Sequence, residues 1–230
     1  MACQLQREFD FDLEYVDLGG GYCGGMEGRP EYPDYFPVVA KELSRCFTPE
    51  KTKIIVEPGI SLISKCTTFV TSVFDTRDIK GTRYVMTDGS RFNIDPTMIK
   101  TSHLFHVEHC GAQIPPTGRK VADNSDAASQ SEPAGNRSVT GDSADGRQLI
   151  DRQVISGFTC MEVDRLFTYE NQPELMPGDR IIYENVGGYT MSLNPLFIQY
   201  FPGVYVQNGE ELRMVRKKWT PEEYVQGSSI

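Results

Sequence analysis

No two cysteines of this chain stand in a Cys-x-x-Cys pair: Cys3, Cys23, Cys46, Cys66, Cys110 and Cys160 are scattered over 230 residues. That spacing argues against a zinc ribbon and, in a domain of this size, against a disulfide scaffold, so all six are read as reduced thiols. No uninterrupted apolar run approaches the ~18–20 residues that cross a bilayer. Met1 to Asp10 is polar and acidic where a secretory leader would be basic and then apolar. The expectation is a cytoplasmic protein. Positive charge is scarce, with 23 Lys and Arg against 32 Asp and Glu and a formal net charge of −9. Such a chain gains little by releasing counterions from phosphates, so nucleic acid and anionic membrane are excluded as expected partners. Histidine is confined to His103, His106 and His109, just before Cys110. A metal site needs imidazoles and thiolate to converge. On a strand His103 and His109 face away from His106, which favours ordinary strand residues, and no metal is expected.

What is present is a soluble globular composition, 39% hydrophobic and 24% charged, long enough for one large domain or two small ones. The apolar run Tyr15-Val16-Asp17-Leu18 leads straight into Gly19-Gly20-Gly21, with a second glycine pair at Gly24-Gly25. From about Tyr35 to Cys46 the residues Phe36, Val39, Ala40 and Leu43 recur at helical spacing. Lys53-Ile54-Ile55-Val56 then ends abruptly at Glu57-Pro58-Gly59. Strand, glycine loop, helix, strand and turn make a βαβ pattern, which places chemistry at the carboxyl ends of the strands.

Beyond Gly59 the pattern changes to strands, at Thr67 to Phe74, Thr82 to Thr87, Arg180 to Tyr183 and Gly203 to Val206. A boundary is therefore expected near Ser61 to Lys65, dividing an α/β part at residues 1–62 from a mostly β part at 63–230. Gly111 to Arg152 has no aromatic residue and abounds in Gly, Ser, Ala, Asp and Pro. It buries too little apolar surface to offset ~1–2 kcal/mol of ordering cost per residue, so a disordered insertion is expected there, either a plain solvated loop or a regulatory one.

Three glycines at a strand end allow backbone amides to approach an anion, so Gly19, Gly20 and Gly21 make either a tight turn or a phosphate cradle. Glu57, fixed by the following Pro58 and Gly59, is either part of a strand-terminating turn or a carboxylate that bonds a heterocycle nitrogen. Two further segments join these: Gly157-Phe158-Thr159-Cys160-Met161-Glu162-Val163-Asp164, and Gly178 to Thr190 with Glu184-Asn185-Val186-Gly187-Gly188-Tyr189 inside it. The four motifs, in this order, resemble the fold-type III pyridoxal-phosphate decarboxylases, the family of diaminopimelate and eukaryotic-type ornithine decarboxylases. The resemblance covers most of the chain outside Gly111 to Arg152 and the last dozen or so residues.

The resemblance implies pyridoxal 5'-phosphate as cofactor. In its terms Gly19, Gly20, Gly21 and Gly59 lie against the cofactor phosphate, with the Tyr189 hydroxyl touching it. Glu57 bonds the pyridine nitrogen, keeping the ring protonated as an electron sink. Cys160 matches a cysteine that reaches across a dimer interface to reprotonate the carbanion. The implied fold is α/β plus all-β: the last strands of a (β/α)8 barrel followed by a β-sandwich or barrel-like carboxyl-terminal domain.

Two departures accompany the match. The family's Glu-Pro-Gly-Arg reads Glu57-Pro58-Gly59-Ile60 here, so a phosphate-supporting arginine is absent. An acidic substrate contact after the cysteine is Met161, with Glu162 one place later. A barrel alone takes ~250 residues, only 18 residues precede Gly19, and none of them is lysine. The implied chain is a carboxyl-terminal half that lacks the cofactor-binding lysine and works as a homodimer or with a complementing amino-terminal half.

The implied activity is decarboxylation of meso-diaminopimelate to lysine, in lysine biosynthesis, with a small amino acid as substrate. An ornithine- or lysine-type decarboxylase is the alternative, since Asn93-Ile94-Asp95-Pro96 puts Asp95 where an arginine would meet a second carboxylate, with Arg91 close by. A non-catalytic fragment or binding-only relative is the alternative of a different class.

Overall fold

The computed structural model describes residues 2–10, 12–24, 28–110 and 146–229. In chain order the elements are α1 (Ala2–Phe9), β1 (Tyr15–Asp17), α2 (Tyr32–Leu43), β2 (Lys53–Ile55), α3 (Ile60–Ile63), β3 (Phe69–Ile79), β4 (Thr82–Thr87), β5 (Leu104–Glu108), β6 (Leu149–Ser156), β7 (Arg165–Pro173), β8 (Arg180–Glu184), β9 (Val204–Asn208), β10 (Glu211–Arg216) and α4 (Pro221–Tyr224). They fall into two compact units, each assembled from distant stretches of chain. The first comprises the residues up to Phe69, Phe92–Leu104 and those from Tyr183 onward; the second comprises Val70–Arg91 and Phe105–Ile182. Ser61 to Lys65, where the sequence suggests a boundary, lies inside the first unit.

In the first unit β1 and β2 run parallel, with Val16 opposite Ile54. Helix α2 bridges them, completing the βαβ unit. It starts three residues before the sequence pattern suggests, because Pro33 sits in its first turn and the Asp34 carboxylate accepts the Glu31 amide at 2.8 Å. Both are residue types that open a helix without a loss of hydrogen bonds. Among the described residues Val16, Phe47, Ile94, Tyr183 and Val186 are the buried apolar residues of this unit, while Tyr15, Ile54 and Ile55 of the parallel pair are exposed.

The expectation of six reduced thiols is corrected at two positions. Cys3 on α1 and Cys46 after α2 are joined by a disulfide, leaving Cys23, Cys66, Cys110 and Cys160 free. The partners are 43 residues apart in sequence, and it is the packing of α1 beside the end of α2 that brings them together.

The second unit holds most of a six-stranded sheet in the order β5-β8-β3-β4-β6-β7. β3 and β4 form a hairpin whose two-residue turn, Lys80-Gly81, has positive φ at both positions, 49° and 78°. Such a turn follows the twist of the strands it joins. The core is aliphatic: Val85, Ile155, Leu175 and Ile181 are fully buried, each stabilising the fold by about 1.5–3 kcal/mol.

The expected insertion is corrected at its end. Gly111 to Asp145 lies outside the described residues, but Arg152 belongs to β6, and Arg147 is buried in a two-pronged pair with Asp179 at 2.5 and 3.0 Å. Composition averaged over Gly111 to Arg152 conceals these last residues, because one charged pair and the Leu149 and Ile150 strand residues suffice to order them. Removing one partner of such a buried pair costs ~3–5 kcal/mol.

Candidate functional site

The glycine loop and the Glu57 turn are joined through backbone. The Glu57 amide donates to the Gly19 carbonyl at 2.8 Å, continuing the β1–β2 pairing beyond the strands. A Cβ on Gly20 would stand 2.7 Å from the Glu57 carbonyl oxygen, so only glycine permits this approach. Gly19 and Gly21 have φ of 66° and 83°, which turn the chain away from the strand. A Cβ on Gly24 would stand 2.7 Å from Ser61, so the chain leaving the loop lies directly on α3.

A distant segment closes on the same place. Gly187 donates to the Ser64 carbonyl at 3.2 Å and Val186 to the Thr67 carbonyl at 3.1 Å. A Cβ on Gly187 would overlap the Ile63 carbonyl, and one on Gly188 would stand 2.8 Å from Ile60 Cγ2. The two glycines therefore let this segment lie on α3, which carries Tyr189 to Gly59: its hydroxyl is 3.2 Å from the position of a Gly59 Cβ. Tyr189 is held at φ 65°, a conformation uncommon for a residue with a side chain.

These elements wall a cleft of about 520 Å³, within the first unit, lined by Gly21 to Gly24, Ile60, Ser64, Ile99 to Leu104, Glu184, Asn185 and Tyr189. The size suits a small-molecule ligand. Among the described residues the amides of Gly20, Gly21, Gly59 and Ile60 donate to no protein acceptor. The open amides of Gly59, next to the Tyr189 hydroxyl, and of Gly21, a residue of the cleft lining, fit the oxygens of a phosphate, so the residues present suit a pyridoxal phosphate. Glu57 is exposed on the turn before α3 and does not itself line the cleft. Ile60 presents an apolar side chain to the cleft.

Asp95 is not brought to the cleft wall. It is 1% exposed, and its carboxylate accepts the Thr97 hydroxyl and the Lys100 amide, each at 2.9 Å. It organises its own turn, and the charged side chain that this segment presents to the cleft is Lys100. Burial lowers the Lys100 pKa below the ordinary lysine value, and the Asp95 charge opposes that shift in part. Nothing in the sequence singles out Lys100 or Ser64: a lysine outside any motif and a lone serine carry no signal until the fold sets them on one cleft with Tyr189.

Cys160 and Glu162 lie in the second unit, both exposed, on the turn between β6 and β7. Buried Asp164 fixes that turn: one carboxylate oxygen accepts the Ser90 hydroxyl at 2.9 Å and the Arg91 amide at 2.7 Å. The other accepts the Thr159 amide at 3.0 Å and its hydroxyl at 2.7 Å. Gly157 packs directly on this carboxylate, leaving no room for a side chain. The result is a thiol held at the surface on a rigid support. Of the histidines, His103 lies edge-on to Tyr183, His106 is exposed on β5, and His109 Nδ1 is 3.6 Å from Asp179.

No family profile matches the chain. It is 25% identical over 185 residues to the diaminopimelate decarboxylase of Helicobacter pylori, covering 79% of this chain and 36% of that protein. It is 23% identical to the ornithine decarboxylase of Cricetulus griseus, over 84% of this chain and 38% of the relative. A crystal structure of the H. pylori diaminopimelate decarboxylase complexed with L-lysine superposes with a TM-score of 0.62 at 20% identity, over 96% of this chain and 46% of that one. The chain thus spans between about a third and a half of the length of the proteins it matches.

Proposed function

Because the chain is related to the fold-type III pyridoxal-phosphate-dependent decarboxylases, we propose that it carries the cofactor-phosphate part of such an enzyme's active site and serves the decarboxylation of an amino acid. The observation that supports this most is the meeting of three distant segments, the Gly19–Gly21 loop, the Glu57-Pro58-Gly59 turn and the Tyr189 segment, with Gly21 and Tyr189 lining the adjoining cleft. When bound, pyridoxal phosphate would supply the electron sink for the pair left behind by departing CO₂.

The chain's own residues hold and tune that group. Amides of the glycine loop and of Gly59, with the Tyr189 hydroxyl, bind the phosphate. Glu57 faces the ring nitrogen, and its negative charge keeps the nitrogen protonated. Cys160 Sγ, reaching across a dimer interface into the site of a partner copy, holds the proton that returns to the α carbon. In this reading the amine that anchors the cofactor aldehyde is supplied by a complementing amino-terminal half. The parallel pair β1–β2 agrees with this: Ile54 and Ile55 stand exposed, whereas parallel strands ordinarily have both faces covered. More barrel strands would cover them, making β1 and β2 part of a (β/α)8 barrel whose β domain follows.

Meso-diaminopimelate is the first candidate substrate, giving lysine and CO₂. Similarity to an ornithine decarboxylase keeps ornithine or lysine as the second reading. The test is release of CO₂ from carboxyl-labelled diaminopimelate, ornithine and lysine by the chain mixed with the amino-terminal portion of a related decarboxylase. Release from one of the three in the mixture supports the proposal. A mixture that assembles and binds the cofactor yet releases nothing from any of them contradicts it.

A further inference from the structure

We propose that Lys100 and Ser64 form an oxyanion site in the cleft, with the Lys100 ammonium and the Ser64 hydroxyl binding the phosphate of pyridoxal phosphate. The inference rests on the cofactor reading above and extends it to two residues outside the motifs.

Ser64 provides the first observation. Its side chain is 3% exposed and lines the cleft, yet its Oγ makes no hydrogen bond. A buried hydroxyl left without a partner is costly, and native folds seldom retain one without a use. The neighbouring backbone is already committed, since the Ser64 carbonyl accepts the amides of Gly187 and Thr67. The hydroxyl is therefore a donor awaiting an acceptor from the cleft.

Lys100 provides the second. The Asp95 carboxylate fixes the Lys100 amide, Met98 donates to the Asp95 carbonyl at 3.0 Å, and Met98 takes φ 57° to close the turn. With its backbone so held, Lys100 lines the cleft and its Nζ lies 3.4 Å from the Asn185 carbonyl, four residues before Tyr189. The side chain is half-buried, so its ammonium has lost part of its hydration. A bound oxyanion would replace what burial removed.

The remaining titratable groups on the lining are Glu184, His103, Cys23, Tyr22 and Tyr189. Glu184 repels a dianion, which assigns the phosphate to Lys100, Ser64, the Gly21 amide and Tyr189. Ile60 leaves the cleft without a guanidinium, and Lys100 supplies the positive charge from another segment.

The experiment measures binding of inorganic phosphate by phosphorus NMR, and of pyridoxal phosphate and pyridoxal by equilibrium titration. It uses the full chain and its Lys100→Met, Lys100→Arg and Ser64→Ala variants, with thermal melts as the folding control. Charged hydrogen bonds predict that Lys100→Met weakens phosphate and pyridoxal phosphate by roughly ten- to a hundredfold, and Ser64→Ala by about three- to tenfold. Pyridoxal binding should be unchanged, Lys100→Arg should retain most of the affinity, and neither Lys100→Met nor Ser64→Ala should lower the melting temperature. If the wild type binds both anions and the Lys100→Met and Ser64→Ala variants match it, the inference is overturned while the cofactor reading stands. Phosphate bound through Lys100 and Ser64 without uptake of pyridoxal phosphate would uphold the oxyanion site and overturn its cofactor assignment. Equal loss of pyridoxal in the variants would assign the two residues to the ring or to the fold, and a wild type that binds neither anion would overturn both proposals.

Discussion

The carbonyl oxygen of Glu57 stands 2.7 Å from where a Gly20 Cβ would be, so the glycine loop and the Glu-Pro-Gly turn touch through bare backbone. Any side chain at residue 20 pushes them apart. Gly20→Ala should lower stability by about 1–3 kcal/mol, and it should weaken pyridoxal phosphate more than pyridoxal, because the amides facing the phosphate move with the loop. Chemical denaturation and paired titrations check both effects.

Asp95 serves its turn and the charge of Lys100. Asp95→Asn removes the negative charge that holds the Lys100 pKa up against burial. Since only the ammonium binds an anion, phosphate affinity falls as pH rises through the Lys100 pKa, which lies below the ordinary ~10.4. In the variant that fall should shift to lower pH. Titrations across an alkaline pH series test it, and an unmoved profile would dissociate Asp95 from the site.

Asp164 supports the turn that carries Cys160. Asp164→Ala strips four donors of their acceptor, with an expected loss of at least ~3 kcal/mol. Cys160→Ala, by contrast, removes an exposed thiol and should leave the melting temperature unchanged. In a complemented enzyme the Cys160 substitution should slow turnover by ~10²–10⁴-fold with cofactor affinity intact. Equal turnover would remove it from the chemistry.

The disulfide makes a simple count. Thiol titration of the native chain should find the four free cysteines, and all six after reduction and unfolding. Six in the non-reduced, unfolded chain would mean that Cys3 and Cys46 are unlinked.

Much of the framework was legible because local rules fixed it. The β-branched Lys53–Ile55 run and the alternation over Thr82–Thr87 gave strands at those places, and the glycine motifs marked positions where backbone meets backbone, at Gly20 and Gly187, or where φ is positive, at Gly19, Gly21 and Gly59. What the sequence hid depends on contacts between distant segments. Asp95 looked like a substrate contact, yet its buried carboxylate caps a turn that nothing before Pro96 announces. Ser64 and Lys100 gain meaning only when α3, the Asp95 turn and the Tyr189 segment share one wall. Cys3 and Cys46 pair through helix packing that no cysteine spacing encodes, and Arg147 is ordered by an aspartate 32 residues away.

The most direct test of the central claim is titration of the chain with pyridoxal phosphate, followed by borohydride reduction and peptide mapping. The account predicts saturable binding at one site that depends on the phosphate, with no lysine labelled stoichiometrically, because it assigns Lys100 to the phosphate end and the anchoring amine to a complementing half. Absence of saturable binding, or a single lysine carrying one equivalent of label, would contradict it.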